Sequence, residues 1–258
     1  MKQVLTLYKP VGISPLQCIY QFRQQHPEYQ KVKLGYAGRL DPMADGLLLV
    51  LSGEENRNRK QYEALPKEYE CKILFGIETD TYDILGKITN GSNTIHRVSY
   101  ETLQNILLTY IGKHKQPYPP YSSQPVNGKP LYYWAREGKL DGLAIPAKDI
   151  EIYAIALVKT ARITGKELQK QINEKIANVT GNFRQKEILE IWNSFFENYP
   201  DITFPIAYLR ISCSSGTYIR SFAHNLGKQL QTNAIALSIT RTKVGEYTLI
   251  KQLLHWNF

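Results

Sequence analysis

The sequence is poor in the features that mark several common protein classes. Cysteine is scarce: Cys18, Cys71 and Cys213 are odd in number, far apart and never in Cys-x-x-Cys spacing. This argues against a disulfide framework or a cysteine-rich zinc site and fits reduced thiols in a cytoplasmic protein. The five histidines, at 26, 96, 114, 224 and 255, show no metal-ligand spacing, so no metal is expected. No apolar run is long enough to span a bilayer, and the N-terminus opens on a strand-like alternation instead of a signal peptide. The Gly-x-Ser-x-Gly of many hydrolases is missing, with no plausible histidine partner for a serine nucleophile. Internal repeats, low-complexity stretches and an obvious linker are absent as well.

Acidic residues are also under-represented. Lys plus Arg number 32 against 23 Asp plus Glu, a formal charge of +9, which points to an anionic partner, most simply nucleic acid. Eighteen tyrosines, against eight phenylalanines and three tryptophans, add to that reading, because tyrosine stacks on bases and bonds phosphates. With 258 residues and 43% hydrophobic content the chain can bury a sizeable core as a single domain, and its composition is not that of a disordered protein.

The periodicities mix strands and helices without strict β-α-β alternation, so the expected class is α+β. Val4–Tyr8 alternates as a strand. Ser14-Pro15-Leu16-Gln17 has the form of a capped helix start, and Leu16, Ile19, Tyr20 and Phe22 are the expected buried stripe. Lys67–Gly76 alternates, with Tyr69, Cys71, Ile73 and Phe75 on one face. Ser99–Ile111 predicts an amphipathic helix. The proline-rich segment 113–130 fits no regular element and reads as a long surface loop whose lysines suit RNA. Residues 164–203 are polar and helical in pattern, Ala207–Ser214 is a strand, and Tyr218–Leu230 a helix.

One stretch carries the most chemistry: Gly38-Arg39-Leu40-Asp41-Pro42-Met43-Ala44-Asp45-Gly46, followed by the apolar run Leu47–Leu51. Pro42 biases Asp41 toward an extended backbone, and a buried strand just after it would hold the carboxylate rigidly on its loop. Turn chemistry alone explains an isolated Asp-Pro. Three more segments change the reading: Lys9-Pro10-x-Gly12, the Tyr69 strand running into Thr79-Asp80-Thr81-x-Asp83-x-x-Gly86, and Gly216-Thr217-Tyr218-Ile219-Arg220. In this order, from Leu5 to Tyr247, the four resemble the tRNA pseudouridine synthase B (TruB) family. Tyr132-x-x-Ala135-Arg136-x-Gly138 and Thr240-Arg241-x-x-x-Gly245-x-Tyr247 look familial too.

The resemblance implies a pseudouridine synthase fold: a mixed, mainly antiparallel central sheet flanked by helices, with a catalytic cleft. It implies a cofactor-free isomerase that flips the T-loop uridine of tRNA (position 55) out of its stack and rejoins the base to the ribose through carbon. Asp41 matches the catalytic aspartate, the nucleophile or ribose-activating group, and Arg220 the arginine that pairs with it. Tyr69 matches the pocket tyrosine that stacks on the base and accepts a proton at its C5. Tyr36, Tyr218, Ile239 and Lys9 fall at substrate-binding positions. Read without the resemblance, Arg220 is a solvated helix-start arginine, Tyr69 a core tyrosine and Lys9 a turn lysine facing water.

The chain departs from the family pattern in four ways. Tyr36 stands where histidine is usual. Arg39 replaces a small residue. Residues 164–203 are longer than the usual connection, and the sequence leaves no room after Tyr247 for a C-terminal RNA-binding PUA domain. The expectation is a cytoplasmic monomer acting on the tRNA T-arm, with no obligate protein partner and no membrane. Two alternatives share the fold: a non-catalytic tRNA-binding or folding protein, and a guide-RNA-dependent subunit resembling the H/ACA catalytic protein.

Overall fold

The computed structural model describes residues 3–91, 99–198 and 202–249. His96, His255 and positions 199–201 of the 164–203 segment lie outside them. In chain order the elements are β1 (Val4–Lys9), α1 (Pro15–Gln25), a 3-10 turn (Pro27–Tyr29), β2 (Leu34–Ala37), β3 (Ala44–Ser52), a second 3-10 turn (Gly53–Asn58), α2 (Arg59–Ala64), β4 (Lys67–Phe75), β5 (Ile77–Thr79), β6 (Ile88–Gly91), α3 (Tyr100–Leu108), β7 (Gly112–Pro117), β8 (Pro125–Val126), β9 (Lys129–Pro130), α4 (Leu131–Arg136), β10 (Ala147–Thr164), α5 (Gly165–Ala177), α6 (Gln185–Asn198), β11 (Thr203–Cys213), α7 (Ile219–Gln229), β12 (Ala234–Val244) and β13 (Tyr247–Thr248). The class is α+β, as expected.

A nine-stranded sheet organises the molecule, in the order β1-β3-β12-β4-β11-β10-β7, with β2 added to β3 and β13 to β12. Its pairings are antiparallel except β3 with β12, which run parallel over Ala44–Gly46 and Ile239–Arg241. The alternation in β4 sorts its two faces. Tyr69, Cys71, Ile73 and Phe75 join Leu209, Ile211 and Ile239 under Leu103 and Leu107 of α3 and Phe222 and Leu226 of α7. On the other face, Leu74, Ile206 and Leu237 pack under Leu168, Ile172, Ile188, Trp192 and Phe196 of α5 and α6. These two helices replace a tight turn between β10 and β11. A Thr164–Glu167 capping box starts α5, and the fully buried Trp192 donates its indole N–H to the Gly86 carbonyl at 3.1 Å.

Two expectations need correction. Ser14, Pro15 and Gln17 do form the capping box of α1, but Leu16 and Tyr20 are exposed, and the helix buries Pro15, Cys18 and Ile19 instead. Positions 15, 18, 19 and 22 form one helical face, and the 16–20 row lies beside it. The 113–130 segment is not wholly irregular. β7 pairs with β10 from Gly112 to Pro117, and β8 and β9 form a small hairpin. The residues β7 turns inward are polar, so hydrophobic alternation is silent there: His114 bonds the Tyr110 carbonyl at 2.7 Å and Gln116 is buried. Lys113 and Lys115 sit exposed on this sheet edge, where lysine blunts edge-to-edge pairing. Among the described residues no helix is long and apolar enough to cross a membrane.

Where β3 meets β12 the backbones approach so closely that Gly46 is required. Its φ is +106°, and a Cβ there would fall 2.3 Å from the Arg241 carbonyl oxygen. Gly46→Ala should therefore destabilise the fold by about 2 kcal/mol or more, combining backbone strain with overpacking. A shifted urea midpoint at unchanged slope would show this, and an unaltered midpoint would contradict the close approach.

Candidate active site

Asp41 stands on the loop leading into β3, and that loop is fixed from three sides. Its neighbours Leu40 and Met43 are buried. Gly12 donates its N–H to the Pro42 carbonyl at 2.8 Å, and Ala44 donates to the Asp41 carbonyl at 3.1 Å. From β12, the buried guanidinium of Arg241 donates to the Leu47 carbonyl at 2.8 Å, the Gly38 carbonyl at 3.1 Å and the Arg39 carbonyl at 3.4 Å. Arg241 thus ties β12 to two carbonyls of the loop and one of β3.

Arg220, in the first turn of α7, faces this loop. Its Nε donates to Asp41 Oδ2 at 2.7 Å, its Nη1 to the Thr81 carbonyl at 2.7 Å, and its Nη2 to the Tyr121 carbonyl at 3.2 Å. The Asp83 carboxylate lies 3.7 Å away. Burial opposes the charge on Arg220, but Asp41 and then Asp83 more than offset it, so the guanidinium stays protonated. Asp41 is the more open partner, its side chain 31% exposed against 4% for Arg220. Oδ2 is engaged by Arg220, and Oδ1 has no hydrogen-bond partner among the described residues. Upstream of α7, buried Gln116 donates to the Tyr218 carbonyl at 3.1 Å and accepts the Tyr218 N–H at 2.8 Å, which fixes where the helix starts.

Asp41, Tyr69, Arg220, Tyr36, Tyr218 and Ile239 all line one cleft of about 1100 Å³, roomy enough for a nucleotide together with its neighbours. Tyr69 rises from β4, opposite Arg241 of β12. Burial pushes its phenol up to about 12, against the pull of the Arg241 charge. Tyr218 is also pushed up, by burial first and then by Asp41. Among the described residues no group of His, Cys, Asp or Glu is arranged to hold a metal ion.

Lys9 is the exception among the sequence-predicted residues. It is neither in the cleft nor in water. It is fully buried, and its Nζ donates to the carbonyls of Pro10 and Ile13, each at 2.8 Å. Burial lowers its pKa to about 8. Its part is to hold the turn whose Gly12 N–H binds Pro42.

Other residues escaped sequence reasoning. Arg241 belonged to a segment noted as familial but given no role. Asp83 likewise stood in a segment that carries the resemblance but was given no role, yet it is buried beside Arg220 and accepts from the Thr81 hydroxyl at 2.7 Å and the Leu85 N–H at 2.9 Å. Gln116 and Arg184 gave no signal in the sequence.

The family model described as TruB family pseudouridylate synthase (N terminal domain) matches residues 26–173. The tRNA pseudouridine synthase B of Oceanobacillus iheyensis is 29% identical over 248 residues, covering 96% of this chain and 67% of that protein. That of Dehalococcoides mccartyi is 30% identical over 253 residues, covering 98% and 68%. A solved H/ACA RNP bound to a substrate RNA containing 2'-deoxyuridine superposes with a TM-score of 0.55 at 16% identity, over 96% of this chain. The chain spans about half, 49%, of the length of that solved chain, and at this identity the likeness shows the fold alone.

Asp83 generates a pH prediction. Burial raises its pKa from 3.8 to about 6, against the pull of Arg220 and the Thr81 hydroxyl. The folded value lies above the unfolded one, so the protonated form favours folding. That contribution is complete below pH 3.8 and is lost as pH rises to about 6. Wild type should lose stability relative to Asp83→Asn by on the order of 2–3 kcal/mol across this window. Chemical denaturation of both proteins at intervals between pH 4 and pH 7 checks this, and parallel profiles would contradict it.

Proposed function

The chain belongs to the TruB family of pseudouridylate synthases, and from that premise we propose that it converts the T-loop uridine of tRNA to pseudouridine. The observation that carries the reading is the Asp41–Arg220 pair at 2.7 Å, with one carboxylate oxygen held by the arginine and the other unbonded among the described residues, in the lining of a cleft shared with several tyrosines. A protein that only bound or folded tRNA need not keep Asp41, Tyr69 and Arg220 together in one cleft, so a non-catalytic role is the weaker reading. The likeness to the H/ACA complex carries the fold and does not favour a guide-dependent subunit.

In this reading the uridine leaves its stack and enters the cleft, at a few kcal/mol offset by contacts to the flipped base. Tyr69, Tyr218 and Ile239 supply those contacts, and Tyr36 stacks at the mouth. Asp41 Oδ1 adds to the ribose C1′ as the C1′–N1 bond breaks, and the electron pair leaves with the uracil. The uracil turns within the cleft, its C5 attacks C1′, and Asp41 departs as the carboxylate it began as. The C5 proton is then lost while N1 gains one. Nothing is oxidised or reduced, so no oxidant or co-substrate is called for. Arg220 holds the carboxylate at one oxygen throughout. The Tyr69 phenol enters neutral, and it takes the C5 proton only as it passes its own proton on. The enzyme works as a cytoplasmic monomer on the tRNA T-arm, without an obligate protein partner.

Asp41→Asn keeps the shape and loses the nucleophile, and it should abolish pseudouridine formation while tRNA binding persists. Arg220→Lys should lose most turnover, because a point charge does not reproduce the guanidinium's three directed bonds. Single-turnover assays at saturating tRNA read both. Asp41→Asn activity within about tenfold of wild type, a barrier change of only ~1.4 kcal/mol, would rule out the nucleophile role.

Affinity for tRNA should come from cations at the cleft. Lys60 and Lys148 line it, and the Lys148 ammonium lies against Gly216 in the turn before α7. Log affinity should fall steeply with log salt as bound counterions are released. Replacing both lysines by Gln should flatten the slope by about one unit for each phosphate no longer neutralised, with turnover at saturating tRNA preserved. Identical slopes in salt titrations would move the RNA path away from this wall.

A further inference from the structure

The helical pair between β10 and β11 does more than cover the sheet. Its connecting loop, residues 178–184, reaches the cleft, where Thr180, Gly181, Asn182, Phe183 and Arg184 form one wall. The loop is internally braced. Gln185 donates to the carbonyls of Val179 and Gly181 and accepts the Phe183 N–H. Arg184 has φ +64°, a left-handed conformation that a residue with a side chain keeps only where its surroundings hold it.

From this loop two short chains of contacts lead to the two halves of the Asp41–Arg220 pair. On one side, Thr180 donates its N–H to the Gly12 carbonyl at 2.8 Å, and its hydroxyl bonds the same oxygen at 3.2 Å. Gly12 in turn donates to Pro42, the residue after Asp41. A Cβ on Gly12 would fall 2.4 Å from the Asn178 carbonyl oxygen, so the two backbones are pressed together. On the other side, Arg184 grips Asp80 with two bonds, Nη1 to Oδ2 at 2.7 Å and Nη2 to Oδ1 at 3.3 Å. Its guanidinium also covers the Tyr121 ring at 4.5 Å.

Asp80 shares its oxygens with the Tyr121 hydroxyl at 3.0 Å and the Lys87 N–H at 2.9 Å. Tyr121 and Thr81, next to Asp80, supply the two carbonyls that receive Arg220. Helix α6 adds a Lys87–Glu187 ion pair and the Trp192 bond to Gly86 on the same turn.

We propose that the α5–α6 loop is a positioning element for the catalytic pair and that Arg184 is its principal residue. Arg184 fixes the 80–87 turn and Tyr121, and through their carbonyls it sets the place from which Arg220 meets Asp41. The proposal rests on the isomerase reading for its consequence on rate, but not for its consequence on structure. Positioning of this kind acts on the chemical step, because small displacements of reacting groups lower rate more than binding.

The test compares Arg184→Gln, Arg184→Lys and Asp80→Asn with Lys170→Gln, an exposed position on α5, as control. Single-turnover kinetics on tRNA should show kcat down by about tenfold or more in Arg184→Gln and Asp80→Asn, with KM for tRNA within about twofold of wild type. Arg184→Lys should recover part of the loss, since its charge still reaches Asp80 without the fork. Amide exchange over 80–87 and 119–123 should accelerate in the same variants, whatever the turnover, and the control should match wild type in both. Unchanged exchange, an unchanged kcat, or a loss confined to KM would overturn the proposal, the last making Arg184 an RNA-binding residue. An inactive wild type would instead contradict the isomerase reading, and the exchange measurements would still decide whether Arg184 holds the turn.

Discussion

Arg220 brings a full positive charge to a place where only 4% of its side chain meets solvent. A buried guanidinium is tolerated only where carboxylates and carbonyls replace its lost water. Here Asp41, Asp83 and the carbonyls of Thr81 and Tyr121 fill that role. They come from three different parts of the chain: the loop before β3, the turn after β5, and the segment after β7. The arginine therefore acts as a tie between elements distant in sequence, and the Asp41 carboxylate takes its position from the same set of bonds. Removing one partner would leave the others' charges buried and unbalanced, which is more damaging than the loss of any one bond.

The sheet explains why this tie can be precise. Asp41 enters β3, Tyr69 sits on β4, and Ile239 and Arg241 sit on β12 between them. Three adjacent strands thus carry one wall of the cleft, and α7 packs across β12 with Arg220 at its start. Arg241 works underneath as a second buried guanidinium, but it meets carbonyls of the Asp41 loop and of β3 and no carboxylate among its bonds. One arginine thus shapes the loop, and the other faces the carboxylate the loop presents.

Much of this was legible in the sequence where side-chain chemistry and periodicity agree. The capping box of α1, the clean alternation of β4 and the apolar run of β3 each encode their element locally. Asp41, Tyr69, Arg220, Tyr36, Tyr218 and Ile239 were found through motif order, and the structure gathers them in one cleft. Where local pattern and tertiary need diverge, the sequence misleads. β7 turns His114 and Gln116 inward, so it has no hydrophobic stripe to show. Leu16 and Tyr20 are spaced like core residues but lie one row off the buried face. Lys9 looks like a turn lysine, and only the fold reveals that its ammonium is enclosed by carbonyls. The bonds of Arg184, Asp83 and Gln116 span long separations in sequence, so no local pattern announces them.

The central claim is that this constellation rearranges a uridine. An unmodified tRNA transcript incubated with the purified protein, then mapped for pseudouridine at nucleotide resolution, tests it most directly. The account predicts one new pseudouridine, in the T-loop, approaching one per tRNA. A transcript that is bound but emerges with no pseudouridine, or with pseudouridine only outside the T-loop, would contradict it.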